Sequence, residues 1–263
     1  MKTRNIIIAV LVISIISVGT IVVLNPNLLG SGTLLHYERV YTGEKPVMLI
    51  VGGLKDCVLT LGYEDNEDLM YRIDVELYDS SETIYFEYRG NGIGDYQHFI
   101  DINTGSHWGS TTRAKTMNIT LGSGHAYYIS LGGDSNSANV TGNIVFDNNA
   151  TLGGEEFAYL FPGTLNLVFT EDIDYSQGGL DMDIGKDNEE ISSVNMYIDL
   201  PDGMDGHAIF RSESMSISTT GWTMYKQTVS PPEKWYRTSE SPTKPLLDID
   251  KVFGDSIMAS LLN

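Results

Sequence analysis

Leu69-Met70-Tyr71-Arg72-Ile73-Asp74-Val75-Glu76-Leu77 decides the fold: its odd positions are all apolar, and Arg72, Asp74 and Glu76 fill three of the even ones. Residues two apart share a face in a strand, whereas a helix groups residues three and four apart, so this stretch is a half-buried β-strand. Thr83-Ile84-Tyr85-Phe86-Glu87-Tyr88-Arg89 follows after Asp79-Ser80-Ser81, a turn cluster, and the pair predicts a hairpin.

The same period recurs outward from there, in Met117–Leu121, Ala126–Leu131, Val140–Phe146, Thr164–Phe169, Leu180–Ile184, Val194–Leu200, Ala208–Arg211, Ser214–Ser218, Trp222–Lys226 and Leu246–Val252. Gly122-Ser123-Gly124, Gly132-Gly133-Asp134-Ser135-Asn136, Gly153-Gly154 and Pro201-Asp202-Gly203 punctuate them. Many short strands without a convincing amphipathic helical window predict an all-β body, either a sandwich or a stack of repeated turns.

One segment breaks the pattern. Lys2 and Arg4 precede an apolar run, Ile6–Leu24, interrupted only by Ser14, Ser17, Gly19 and Thr20. At about 1.5 Å per residue the run covers about 28 Å, close to the hydrocarbon thickness of a bilayer. Its length, and the absence of a small-residue cleavage pattern in Asn25–Gly30, favour an uncleaved signal-anchor over a signal peptide. Basic residues precede the run and none follows before Arg39, which predicts a single-pass protein with its C-terminal body outside the cell membrane. The expected organisation is a cytoplasmic stub (1–4), a transmembrane anchor (5–24), a linker (25–36), a β-rich region (37–116) and a second β region (117–263) with a Pro-rich excursion (226–245).

Composition fits a surface location. Formal net charge is −19, and with Lys2 and Arg4 set aside the remaining 14 basic residues face all 35 acidic ones, or −21. Such a field excludes nucleic acid and anionic lipid surfaces as partners for the body. The single cysteine, Cys57, forms no intramolecular disulfide and reads as a buried small hydrophobe. Asn118-Ile119-Thr120, Asn139-Val140-Thr141 and Asn149-Ala150-Thr151 are acceptor triplets, so Asn118, Asn139 and Asn149 are expected glycosylation positions in a glycoprotein.

The second half carries a resemblance. Val194–Leu200 runs into the turn Leu200-Pro201-Asp202-Gly203, Ser212–Thr219 alternates, and the last strand region contains the step Val252-Phe253-Gly254-Asp255. This combination, over Met117–Asn263, resembles the toast-rack adhesin family, related to the C-terminal domains of bacterial cell-wall stress regulators. The resemblance implies a single-layered, β-solenoid-like stack and a surface-exposed, non-enzymatic role, and it supplies no catalytic or binding residues. Residues 37–116 are then either the first layers of that stack or a small sandwich.

Chemistry-bearing residues are sparse. Asp172 with Asp174, Asp181 with Asp183, and Asp199, Asp202 and Asp205 invite calcium, but neither an EF-hand loop nor a Gly-Gly-x-Gly-x-Asp repeat is present, and alternate Asp residues on a strand face water. His36, His98, His107, His125 and His207 lack zinc spacing. Gly90-Asn91-Gly92-Ile93-Gly94 lacks the strand-to-helix context of a dinucleotide site. No cofactor, no metal and no enzymatic activity are therefore expected. Lys226–Pro245 stands out, with four prolines, four basic residues and Trp235-Tyr236; Lys234, Trp235, Tyr236 and Arg237 are the candidate interaction residues for a glycan or protein partner. The function expected is an adhesin-like, envelope-organising or envelope-sensing module. The alternatives are a self-assembling filament or coat subunit that oligomerises through open strand edges and, more remotely, an extracytoplasmic carbohydrate-active enzyme.

Overall fold

The computed structural model describes residues 33–42, 46–90, 98–103, 111–132, 137–152, 155–175, 179–185, 191–243 and 245–263. The stub, the anchor and residues 25–32 of the linker lie outside the described residues, as do His107 and Asn91–Gly94. Among the described residues no helix is long and apolar enough to cross a membrane.

The described chain is all β. In order its strands are β1 (Leu34–Val40), β2 (Val47–Val51), β3 (Leu54–Lys55), β4 (Val58–Glu64), β5 (Leu69–Leu77), β6 (Phe86–Arg89), β7 (His98–Ile102), β8 (Thr112–Gly122), β9 (Tyr127–Gly132), β10 (Val140–Phe146) and β11 (Thr151–Leu152). There follow β12 (Glu155–Leu160), β13 (Gly163–Phe169), β14 (Asp174–Tyr175), β15 (Gly179–Ile184), β16 (Ser193–Asp199), β17 (Asp205–Arg211), β18 (Ser214–Thr219), β19 (Thr223–Val229), β20 (Pro232–Arg237), β21 (Leu246–Phe253) and β22 (Ser256–Leu262).

Two 10-stranded sheets share one core. Sheet A has the order β1-β5-β8-β4-β10-β13-β16-β22-β18, with β3 beside β8; sheet B has the order β19-β20-β17-β21-β15-β12-β9-β2-β7-β6. The chain repeatedly lays one strand in sheet B, turns a corner and lays the next in sheet A. The resulting rungs, from one end of the stack to the other, are β7–β8, β2–β4, β9–β10, β12–β13, β15–β16, β21–β22 and β17–β18, all pairing in parallel with their neighbours. Antiparallel strands finish the stack: β5 and β1 on sheet A and β6 on sheet B at the N-terminal end, β20 and β19 on sheet B at the other.

Sequence order and stacking order part company at both ends. Rung β2–β4 is laid down first yet sits inside β7–β8, and β21–β22 is laid down last yet sits between β15–β16 and β17–β18.

Parallel register aligns like with like, and that alignment builds the core. In sheet B the inward row runs Ile100, Leu49, Ile129, Phe157, Met182, Ile249, Ala208, Tyr236; in sheet A it runs Ile119, Leu61, Ile144, Leu167, Met196, Ala259, Ile217. All but Ile217 are buried, and each large side chain so placed contributes about 1.5–3 kcal/mol of burial. Gly142 supplies clearance for Tyr159, since a Cβ there would lie 2.4 Å from the ring. Cys57 is buried, as its apolar neighbours imply, and burial pushes its thiol up to about 12, so it packs and does not react.

Three features differ from the sequence reading. The stack has two facing layers, where the resemblance implied one. Of the two alternatives for residues 37–116, their described strands take the first, as rungs and end strands of the same two sheets. Leu69–Leu77 and Phe86–Arg89 are not a hairpin: β5 ends sheet A and β6 ends sheet B, because Asp79–Ser81, where the Ser81 N–H donates to Asp79 Oδ1 at 2.8 Å, begins a crossing between layers. The excursion 226–245 is largely ordered as the β19–β20 hairpin, tipped by Ser230–Pro231.

Candidate binding face on sheet B

The outward side of sheet B carries a graded row of charge. Strand register puts Glu156 of β12 beside Asp181 of β15, Asp181 beside Asp248 of β21, Asp248 beside His207 of β17, and His207 beside Arg237 of β20. Neighbouring strands lie about 4.8 Å apart, so three carboxylates, an imidazole and a guanidinium succeed one another within about 20 Å. Asp183 and Asp250 flank the acidic half, and these acids with Met48 and Tyr128 line a shallow depression of about 460 Å³.

Like charges in register repel, and the row is relieved at its basic end. Asp248 Oδ1 meets His207 Nδ1 at 2.8 Å, and His207 Nε2 meets the Tyr225 hydroxyl at 2.8 Å. Both contacts are satisfied when Nδ1 carries the proton and Nε2 accepts from the phenol. Partial burial pushes the Tyr225 phenol above its ordinary value, Arg237 opposes the shift, and Asp248 adds to it, so the hydroxyl stays a donor at neutral pH.

A β-bulge makes this cluster possible. Between Met224 and Lys226 the β19 register slips by one residue against β20, so Tyr225 and Lys226 both reach the outward side. Lys226 Nζ then lies 3.7 Å from the centroid of the Trp235 ring, and the Arg237 guanidinium lies 4.6 Å from that of Tyr225. Tyr225 and Trp235 meet edge to face at 6.0 Å, and Trp235 reaches His207 at 6.4 Å. Tyr225 is 38% exposed. These are ordered aromatic and cationic groups on an outward face.

The candidate residues named from sequence are divided by this geometry. Trp235 and Arg237 belong to the face. Tyr236 points the other way, buried against Phe210 with ring centroids 6.0 Å apart, and Lys234, opposite Phe210, lies on that inner side too. His207, Tyr225 and Asp248 were not legible as partners, because three separate strands deliver them; the one signal was the aromatic and basic richness of 225–237. Among the acids that invited calcium, Asp205 accepts from the Thr243 N–H at 2.7 Å and the Thr238 hydroxyl at 3.0 Å, which holds its carboxyl below the ordinary range, and Asp199 accepts from the Tyr197 hydroxyl at 3.0 Å. Among the described residues no group of three or more His, Cys, Asp or Glu is placed to hold a metal ion.

Sheet A's outward side is different. Its central row runs His36, Asp74, Asn118, Thr60, Asn143, Asn166, Asn195, Met258, Ser216 across nine strands. Asn195 Nδ2 donates to Asn166 Oδ1 and Asn166 Nδ2 to Asn143 Oδ1, each at 2.9 Å, a side-chain ladder that locks three rungs. The acceptor residue Asn118 is exposed in this row; Asn139 Nδ2 donates to Asp56 Oδ1 at 3.0 Å, and Asn149 sits in a turn.

Fold and face together define an all-β, two-layer parallel stack with a polarised outward surface. No protein-family model matches the sequence, and no curated protein matches it. Among solved structures the chain is similar to a candidate cell adhesion protein from Clostridium sporogenes, at 12% identity over 89% of this chain and 100% of that one, with a TM-score of 0.47. So distant a likeness leaves function to the site itself.

Proposed function

We propose that this chain is a non-enzymatic, adhesin-like binding module, held at the cell membrane by Ile6–Leu24 with its β-stack outside, and that it engages a surface glycan or protein through the outward face of sheet B. The observation that carries the reading is the row Glu156, Asp181, Asp248, His207, Arg237 with Tyr225 and Trp235 standing over its basic end. Rigid aromatics flanked by cations are the usual anchors of recognition surfaces, and here they serve no core. An open, shallow face suits binding an extended surface more than enclosing a small substrate.

The test is binding of the full-length protein in detergent micelles to intact cells and to immobilised envelope polysaccharides. Trp235→Ala and Tyr225→Ala are each expected to lower binding at least about tenfold while leaving the melting transition nearly in place. Tyr236→Ala is the wrong probe, since it opens the core. Unchanged binding in both face variants refutes the proposal.

A further inference from the structure

A second surface, independent of the sheet B face, lies at the C-terminal end of the stack. There sheet A stops at β18, while sheet B continues past the same rung by two strands, β20 and β19. The inner side of this overhang therefore has no facing strand among the described residues. Met224, in register with the buried Tyr236, is 46% exposed, and Val229 is 87% exposed.

The edge that borders the vacancy is unguarded. Edge strands are normally blunted by charge, proline, bulges or brevity. Three ends comply: β1 carries His36, Glu38 and Arg39, β6 has four residues including Glu87 and Arg89, and β19 has a bulge and Lys226. β18, Ser-Met-Ser-Ile-Ser-Thr, has no charge, no proline and no register shift against β22. The Thr220 N–H donates to the Leu261 carbonyl at 2.8 Å, so by alternation the backbone groups of Met215, Ile217 and Thr219 face the open side. Met215 and Ile217 are only partly buried against the core. On the outward side, the polar row of sheet A is interrupted next to β18 by Met258, 58% exposed, within a groove of about 470 Å³ that also includes Tyr197, Ser216, Ser218 and Leu262.

We propose that this slot is a strand-acceptor site: one extended segment of a different polypeptide pairs with β18 and fills the layer opposite β20 and β19. Charge selects the occupant. The inward residues of the overhang include Lys234 and no carboxylate, in a chain of net charge −19, so the slot admits a segment with apolar inward residues and one inward acidic residue. A second copy is disfavoured twice. Two chains of net charge −19 repel, and a two-fold pairing of β18 with β18 drives both sheet B overhangs into one space.

The experiment measures fluorescence anisotropy of a labelled, end-blocked peptide Thr-Val-Thr-Val-Thr-Asp-Thr titrated with the full-length protein in detergent micelles. Saturable one-to-one binding is expected. It should weaken at least about tenfold with Lys in place of the peptide's Asp, with Thr219→Pro, which removes a free-edge donor, and with Met224→Asp, which changes the opposite wall at an exposed position. Trp235→Ala should leave this binding unchanged, which separates the slot from the sheet B face. Binding indifferent to both slot variants, or no saturable binding, overturns the proposal. Concentration-dependent dimers abolished by Thr219→Pro also overturn it, in favour of self-association.

Discussion

The two ends of the stack solve one problem in different ways. At the N-terminal end both sheets are closed by antiparallel strands, and the closures meet: Tyr37 of β1 stacks on Phe86 of β6 with centroids 4.1 Å apart, and Arg39 lies 3.7 Å from the Tyr88 ring centroid. Charge guards the outside, where Arg72 bridges Glu38 and Glu64 at 2.7 Å each and His36 meets Asp74 at 2.7 Å. At the C-terminal end only sheet B is closed, and sheet A presents an uncharged edge. A parallel stack has no natural end, so every end must be built. One end here is built to stop, and the other is built to continue.

Deletion separates the ends most sharply. Removing Leu246–Asn263 takes away an interior rung, β21–β22, which strips β18 of its strand partner and cuts β17, with β20 and β19, off from the rest of sheet B, so loss of cooperative unfolding is expected in calorimetry. Removing residues 33–40 strips only the edge strand β1 and should leave a folded protein with a lower melting temperature. A linear stack would tolerate both deletions, and survival of the first would break the interleaved order.

Point substitutions sharpen the same contrast. Phe86→Ala removes the ring that joins the two N-terminal closures and should cost about 2 kcal/mol, below the range for a fully buried Phe because the site is half-exposed. Met224→Ala, at the C-terminal end, touches a side chain that is 46% exposed and has no facing strand among the described residues, and should cost under about 0.5 kcal/mol. Denaturant titration of the two variants checks the difference. Arg72→Ala comes next, at about 1 kcal/mol, since two partly exposed ion pairs contribute modestly; its cost should shrink in high salt.

Alternation made the strands legible because it reports which side of a residue is buried. Val140–Phe146 and Leu180–Ile184 follow from that alone. It does not report partners: β5 and β6 are neighbours in sequence with matching periods, yet they occupy different sheets, and nothing local distinguishes a tight hairpin from a crossing turn. The interleaved rungs were illegible for the same reason, and alternation alone left a sandwich and a stack of turns undivided. At the candidate site Trp235 and Arg237 were visible through composition. Tyr225 was not, because a bulge re-aims it, and His207 and Asp248, 41 residues apart, meet only through parallel register.

Acid should loosen the guarded end by a smaller, graded amount. Hydrogen bonds from Arg89 and Tyr85 hold the Glu87 carboxyl at about 2, against an ordinary value of 4.5, and the Arg72 guanidinium lowers Glu64. A depressed folded-state pKa means the unfolded chain binds protons first, so the stabilisation is complete above the ordinary value and is lost as pH falls from about 4.5 towards 2. Both carboxylates lie at the N-terminal end: Glu87 pairs with Arg89 along β6 itself, and Glu64, through Arg72, ties β4 to β5 and β1. At the other end Asp205 is lowered chiefly by the Thr243 N–H, and that bond fastens the loop before β21. Amide exchange compared between pH 5 and pH 3, corrected for intrinsic rates, should therefore show protection lost in β1 and β6, while β18 and β22, whose pairing involves no carboxylate, change least. Equal loss in β18 would mean that acid acts on the whole stack, and the difference between a guarded end and a neutral one would not be electrostatic.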